Sequence, residues 1–284
     1  MPGNREENDK LVNLTLPIRE FQLFLFSTDP VTARKAINAG IDAIIIDWEN
    51  QGKKLRQENF DTQINYDTYD DLCRIRDAVP SGQLICRING FSKEHTPMEV
   101  ELAIQAGADE IFLPMVCDVE QVVQTYNLIS GRAELNILVE TVQSLECLSE
   151  LSKLDLNRAY VGLNDLHIQQ NSRNIFVPLM DGTIESVRRH FDISLGAGGV
   201  TYPPNGRPIA SKYLINEYAR LGIDFSFLRR TFLKDHLSMD MDYMVHHIKT
   251  AYYNALLRTA EQIEEDFRYF REQVGSWTAN PHYI

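Results

Sequence analysis

Two acidic residues stand where a carboxylate is costly. Glu140 follows the apolar run at 137–139, and Asp165 follows the run at 160–163, apolar apart from its glycine. Such runs read as strands of a parallel sheet buried on both faces. Between them lies a helix that Thr141 or Ser144 can cap, with Val142, Leu145, Leu148 and Leu151 at helical spacing. A right-handed crossover lays the second strand parallel to the first, about 4.8 Å away if the two are neighbours. Both carboxylates then emerge at one carboxyl edge and repel each other unless a cation lies between them. Magnesium, or manganese or another divalent ion in its place, suits this, because magnesium takes one or two carboxylates and completes its shell with water and substrate oxygens. The plain alternative is a pair of helix-capping acids at ordinary strand ends.

Asp47 and Glu49 close a second apolar run and alternate, so they face the same side of a strand. Two acids on one site push a pKa upward, which allows one of them to hold a proton or to orient a metal-bound water. Their other reading is a salt bridge from Asp47 to Arg87 or Lys53, or orientation of the groups that do the chemistry. Arg87 ends a further strand, where it either adds fixed positive charge beside a substrate oxygen or pairs with a neighbouring carboxylate. Gly162 and Asn164 serve the backbone turn before Asp165, and Pro114 and Met115 are expected to line the same mouth. His167 is expected in the first turn of the next helix, in a capping or packing role. Lys53, Lys54 and Arg56 form a small basic cluster in a long polar connection.

The elements that hold these residues recur along the chain. The patterns AGIDAIII at 39–46, AGADEIFL at 106–113 and LGIDFSFL at 221–228 each give a glycine helix stop, a short turn and a buried strand. Asp29-Pro30 signals a helix start, Asp67 is expected to cap a second helix, and TPME at 96–99 reads as a capping box with proline at the first helical position. The glycine-rich 194–200 is a weak seventh strand and 224–228 the eighth. Eight strands alternating with helices predict a (β/α)8 TIM barrel in one domain, with a polar tail at 1–16, the barrel at 17–238 and a helical extension at 239–284.

Composition narrows the partners. The 284 residues carry a formal net charge of −12 and are 44% hydrophobic, enough for a barrel core and opposed to a nucleic-acid or anionic-membrane surface. Cys73, Cys86, Cys117 and Cys147 form no C-x-x-C pair and read as reduced thiols. With no apolar run near the ~20 residues of a membrane span and no leader, the chain reads as cytoplasmic. The extension carries Tyr252, Leu256, Ile263, Phe267 and Phe270, more apolar surface than water tolerates, and this predicts a homo-oligomer, trimer or hexamer; folding back over its own barrel is the rival account.

The motifs IIIDWEN, CRING, AGADEIFLPMV, LVETVQSLE and VGLNDLH, in this order at strand ends, resemble the metal-dependent aldolase and citrate lyase beta-subunit family. The resemblance implies a barrel holding magnesium or a similar ion and a carbon–carbon lyase or aldolase acting on a keto acid or hydroxy acid, acyl-CoA included. It implies Glu140 and Asp165 as metal ligands, Arg87 at the substrate oxygen, and Asp47 with Glu49 as the acidic pair of the second strand. Asn50 stands where the aldolase branch has a histidine, and Leu138 where it often has a glutamine. Those departures leave a second reading, a non-catalytic keto-acid-binding or assembly barrel. VGLNDL also resembles phosphoenolpyruvate-handling barrels, without a glycine-rich phosphate loop beside it.

Overall fold

The computed structural model describes residues 20–51, 66–275 and 277. The cluster Lys53, Lys54 and Arg56 and the tail 1–16 lie outside the described residues. Eight parallel strands close into a barrel in chain order: β1 (Gln22–Phe26), β2 (Ala43–Asp47), β3 (Gln83–Arg87), β4 (Glu110–Leu113), β5 (Glu134–Val139), β6 (Arg158–Val161), β7 (Ser194–Val200) and β8 (Phe225–Leu228). Helices α1 (Pro30–Asn38), α2 (Tyr69–Ala78), α3 (Thr96–Gln105), α4 (Val119–Ile129), α5 (Val142–Glu146), α6 (Leu148–Leu151), α7 (Leu163–Gln170), α8 (Thr183–His190) and α9 (Ser211–Leu221) fill the crossovers. After β8 come α10 (Arg230–His236), α11 (Met241–Leu256) and α12 (Ala260–Gly275). The architecture is the (β/α)8 TIM barrel.

The thrice-repeated joint has a physical cause. Gly40, Gly107 and Gly222 leave α1, α3 and α9 at φ of 89°, 91° and 67°, a region that L side chains resist. Two residues on, Asp42, Asp109 and Asp224 turn back to the preceding strand. Their carboxylates accept from the amides of Leu23, Leu84 and Leu195 at 2.8, 2.8 and 3.2 Å. Their own amides donate to the carbonyls of those same residues at 2.9, 2.8 and 2.9 Å. Each joint therefore ties the start of one strand to its neighbour and sets the register.

Alternation along the strands sorts side chains into two cores. One set meets the helices. The other fills the barrel with Phe24, Ala43, Ile45, Ile85, Phe112, Leu138, Tyr160, Phe225 and Phe227. At the amino end Glu110 closes the floor, paired with Arg158 at 3.0 Å and accepting from Asn136 Nδ2 at 2.8 Å. One period toward the carboxyl end, the same alternation reaches Asp47, Arg87, Glu140, Gly162 and Arg229. The candidate site is the polar top layer of an otherwise apolar barrel.

Some local expectations give way to tertiary contacts. The cap of α2 is Thr68, in a capping box with Asp71, while Asp67 accepts the amide of Asp47 at 2.8 Å. No capping box forms at 96–99: Thr96 Oγ1 accepts from the Ser92 amide, and buried Glu99 holds Asn89 through its amide at 3.0 Å and its Nδ2 at 2.8 Å. The helix after Glu140 is broken into α5 and α6. Downstream of β8, α11 packs on α9 and α1 and so supplies the last helix of the outer ring rather than an extension. Tyr252 is buried within the chain, stacked on Phe21 at 4.3 Å. Phe270 and Val274 of α12 are buried too, and Asn174 Nδ2 donates to the carbonyls of Val274 and Trp277 at 3.1 and 2.9 Å. Much of the apolar surface that predicted an oligomer is covered by the chain's own barrel. No helix among the described residues is long and apolar enough to cross a membrane.

Candidate active site

At the carboxyl end of the barrel a cavity of about 890 Å³ opens, lined by Arg87, Glu140, Gly162, Asn164 and Asp165 over an apolar floor of Phe26, Leu138, Tyr160 and Phe227. Carboxyl-end loops are where barrel enzymes place their chemistry. Five residues expected from the sequence thus meet in one space. Pro114 and Met115 are not among its lining residues. Met115 takes φ of 54°, which aims its amide at Glu140 Oε1, 2.9 Å away, so its visible contribution is to hold that carboxylate.

Glu140 is buried, and Gly162 on the neighbouring strand makes the space it occupies. A Cβ at Gly162 would stand 2.3 Å from Glu140 Oε2. Burial, then the charge of Asp165, then that of Glu49 push the Glu140 carboxyl up to about 8, against the Met115 amide and Arg87. A carboxylate so disfavoured gains from a cation beside it. Asp165 sits in the first turn of α7, past the strand end expected of it, because β6 stops at Val161 and α7 starts at Leu163. Next to it, Asn164 Oδ1 is buried without a hydrogen-bond partner among the described residues. Among the described residues no group of three or more His, Cys, Asp or Glu side chains is arranged around a metal position. A magnesium ion needs only one or two carboxylates with further oxygens, which Glu140, Asp165 and Asn164 fit.

Arg87 is gripped on three sides. Its Nε and Nη2 donate to Asp47 Oδ1 and Oδ2 at 2.8 and 2.7 Å, and Nη1 lies 3.3 Å from Glu49 Oε2. Burial opposes its charge, but Asp47, Glu49 and Glu140 outweigh burial and hold its pKa well above the usual value. Both Asp47 oxygens accept from Arg87 and one Glu49 oxygen lies beside it, an arrangement that orients the guanidinium. Behind them Asn89 Oδ1 accepts the amides of Asn50 and Gln51 at 3.0 and 2.9 Å, fixing the chain as it leaves β2. His167 lies mid-helix, its Nδ1 3.0 Å from Ser172 Oγ, and burial lowers its pKa. It packs the shell of α7, one turn beyond where the sequence placed it.

The sequence reading missed the opposite wall. Arg229, Arg230 and Lys234 line the cavity with Arg207 from the β7–β8 connection, and Trp277 from the chain beyond α12 completes the rim. Arg229 was legible in principle. It stands two residues after Phe227 and continues the inward alternation of β8. The glycines of β7 make room for it and its neighbours: a Cβ at Gly199 would be 2.8 Å from Arg229 Cγ, and one at Gly196 would collide with the Phe225 ring.

With this geometry in view, similarity to known proteins becomes specific. Residues 20–155 match the model of the HpcH/HpaI aldolase/citrate lyase family. The matched span holds Asp47, Glu49, Arg87 and Glu140 and ends before Asp165, and the resemblance carried by the strand-end motifs is to this same family. No curated protein sequence matches the chain. Among solved structures, a HpcH/HpaI aldolase/citrate lyase family protein from Burkholderia cenocepacia J2315 superimposes with a TM-score of 0.57 at 12% identity, over 83% of this chain and 94% of that one. The citrate synthase SbnG superimposes with a TM-score of 0.52 at 16% identity, over 78% of this chain and 91% of its own. At these identities the likeness is one of fold.

Proposed function

We propose that the protein is a divalent-metal-dependent carbon–carbon lyase or aldolase acting on a keto acid or hydroxy acid, acyl thioesters included, through a pyruvate-type enolate. The observation that carries this reading is the convergence of Glu140, Asp165 and Arg87 on one cavity at the carboxyl end of the barrel. Glu140, Asp165 and Asn164 would hold the ion, with magnesium or manganese the fitting choice. When bound, it supplies Lewis-acid charge to the adjacent carboxylate and keto oxygens, worth several kcal/mol in stabilising an enolate.

Arg87 presents fixed positive charge to the same oxygens, in an orientation that Asp47 and Glu49 allow no freedom to change. Phe26, Leu138, Tyr160 and Phe227 keep the reacting carbons dry. In a 4-hydroxy-2-oxo acid the C3–C4 bond breaks, its electron pair passes to the enolate, and the hydroxyl loses its proton as it becomes a carbonyl. A proton returned to C3 gives the 2-oxo acid. Treating the protein with EDTA and then restoring magnesium or manganese should abolish and recover release of pyruvate from 4-hydroxy-2-oxo acids or oxaloacetate. Turnover that survives EDTA sinks the proposal, and tight oxalate binding with no turnover would mark a keto-acid-binding barrel instead.

A further inference from the structure

The proton that leaves the substrate hydroxyl needs an acceptor. Among the described residues no histidine lines the cavity or the space that continues from it. That continuation is an arm of about 660 Å³ between the β1–α1 turn and the end of β8, and it shares Arg87, Tyr160 and Phe227 with the main cavity. Ser27, Thr28 and Asp29 line one side of the arm, and Asp67, which stands just before α2, lines it together with Arg87.

Most carboxylates around these two spaces have other work. Glu140 and Asp165 are the pair that would hold the ion. Asp235 accepts from Thr201 Oγ1 at 3.1 Å and lines the main cavity but not the arm. Asp29 Oδ2 accepts from the hydroxyl and the amide of Thr32 at 2.6 and 2.8 Å, which caps α1 and holds that carboxyl below its usual range. Both oxygens of Asp47 accept from Arg87. Asp67 differs, because only its Oδ2 is engaged, by the Asp47 amide at 2.8 Å, and its Oδ1 has no partner among the described residues. Asp47 and Arg87 are paired in register on neighbouring strands, so this anchor sets Asp67 beside the charge that faces the enolate. Burial, then the charges of Asp47 and Asp71, raise the Asp67 carboxyl to about 6 against the pull of the Asp47 amide and Arg87. A carboxylate close to neutrality both takes and releases a proton, which is what a general base requires.

We propose that Asp67 is the general base that takes the proton from the substrate hydroxyl, with the departing carbonyl half of the substrate lodged in the arm that Asp67 lines. This rests on the function proposed above and deepens it. In a 4-hydroxy-2-oxo acid the hydroxyl proton on C4 passes to Asp67 Oδ1, and the electron pair it leaves behind forms the C4 carbonyl. The C3–C4 electron pair passes to the enolate, which lies between Arg87 and the Glu140–Asp165 pair. The aldehyde leaves through the arm, Asp67 releases its proton to solvent, and solvent supplies the proton that C3 gains.

The test compares two reactions of the full-length protein with magnesium present: cleavage of 4-hydroxy-2-oxopentanoate to pyruvate and acetaldehyde, and exchange of the C3 hydrogens of pyruvate in D2O. Only the first removes a hydroxyl proton. Asp67→Asn keeps a carbonyl oxygen for the Asp47 amide and should lower kcat for cleavage at least about a hundredfold, while exchange is largely retained. In the unaltered protein kcat/KM for cleavage should fall on the acid side of about pH 6, where Asp67 becomes protonated, and the variant should lack that limb. The charged groups around Asp67 are Asp47, Asp71 and Arg87, with Asp29, Arg229, Arg230 and Lys234 along the arm. Cleavage that survives in Asp67→Asn, or an acid limb that persists in it, overturns the assignment. Equal loss of cleavage and exchange overturns it too, since that would mark Asp67 as a support for Arg87. In each of these cases exchange by the unaltered protein leaves the enolate reading intact, whereas an unaltered protein that neither cleaves nor exchanges overturns both.

Discussion

Gly162→Ala is the smallest change that should disable the site. The added Cβ would lie 2.3 Å from Glu140 Oε2 and 2.6 Å from Glu140 Cβ, where ordinary contact begins at 3.4 Å. Glu140 has little room to yield: it is buried, and its Oε1 is held by the Met115 amide at 2.9 Å. Overpacking of this kind costs roughly 1–3 kcal/mol, which in a domain of this size lowers Tm by roughly 3–10 °C. The carboxylate must swing by about 1 Å, and a displacement of that order at a reacting centre costs about a hundredfold in rate. Thermal melts and magnesium titrations on the full-length protein would read both effects, and G162A should melt lower and bind magnesium at least about tenfold more weakly. A variant with unchanged melting and unchanged magnesium affinity would refute the idea that Gly162 exists to seat Glu140.

Other perturbations reach the rest of the account. Asp47→Ala leaves Arg87 with Glu49 alone in a buried setting and should cost about 3–5 kcal/mol in denaturant unfolding, whereas a surface-like loss below about 1 kcal/mol would deny the buried clamp. Burial, with the nearby charges of Asp47 and Asp71, raises the Asp67 carboxyl to about 6, opposed by the Asp47 amide. An acid whose folded pKa is raised binds its proton more tightly when folded, so its contribution favours the fold at low pH and is lost as pH climbs from about 3.8 to about 6. The stability difference between the unaltered protein and Asp67→Asn should therefore shift by at most about 1 kcal/mol across that window, the half-exposed position being screened, and a difference that is flat with pH would contradict it. Ending the chain at Thr259 removes the burial of Phe270 and Val274 and should cost roughly 3–6 kcal/mol. Light scattering on the same pair of proteins tests whether α12 also serves a homo-oligomer: an unchanged number of subunits per particle would show that it does not.

The readable part of the site followed from one rule. Asp47, Arg87, Glu140 and Gly162 each lie two residues beyond an inward apolar side chain, and alternation alone puts them on the rim. The three glycine-aspartate joints were visible as a repeat, although the strand-to-strand hydrogen bonds of Asp42, Asp109 and Asp224 were not, since such a partner is distant in sequence. Where two local uses of a residue compete, tertiary geometry decided: Glu99 left its helix for Asn89, and Asp67 left its cap to Thr68 for the Asp47 amide. Asp165 was placed by its apolar run at a strand end, but the backbone had already turned into α7. Arg229 escaped notice because adjacent arginines after a strand look like a solvated helix start, and only closure of the barrel turns the first of them inward.

The most direct test of the central claim is exchange of the C3 hydrogens of pyruvate for deuterium, followed by NMR in D2O, because it reads enolate formation without knowledge of the acceptor. The account predicts exchange that requires magnesium or manganese, stops with EDTA, and is lost in Glu140→Gln and in Arg87→Ala. Exchange that persists in EDTA, or that survives in Glu140→Gln, would contradict it.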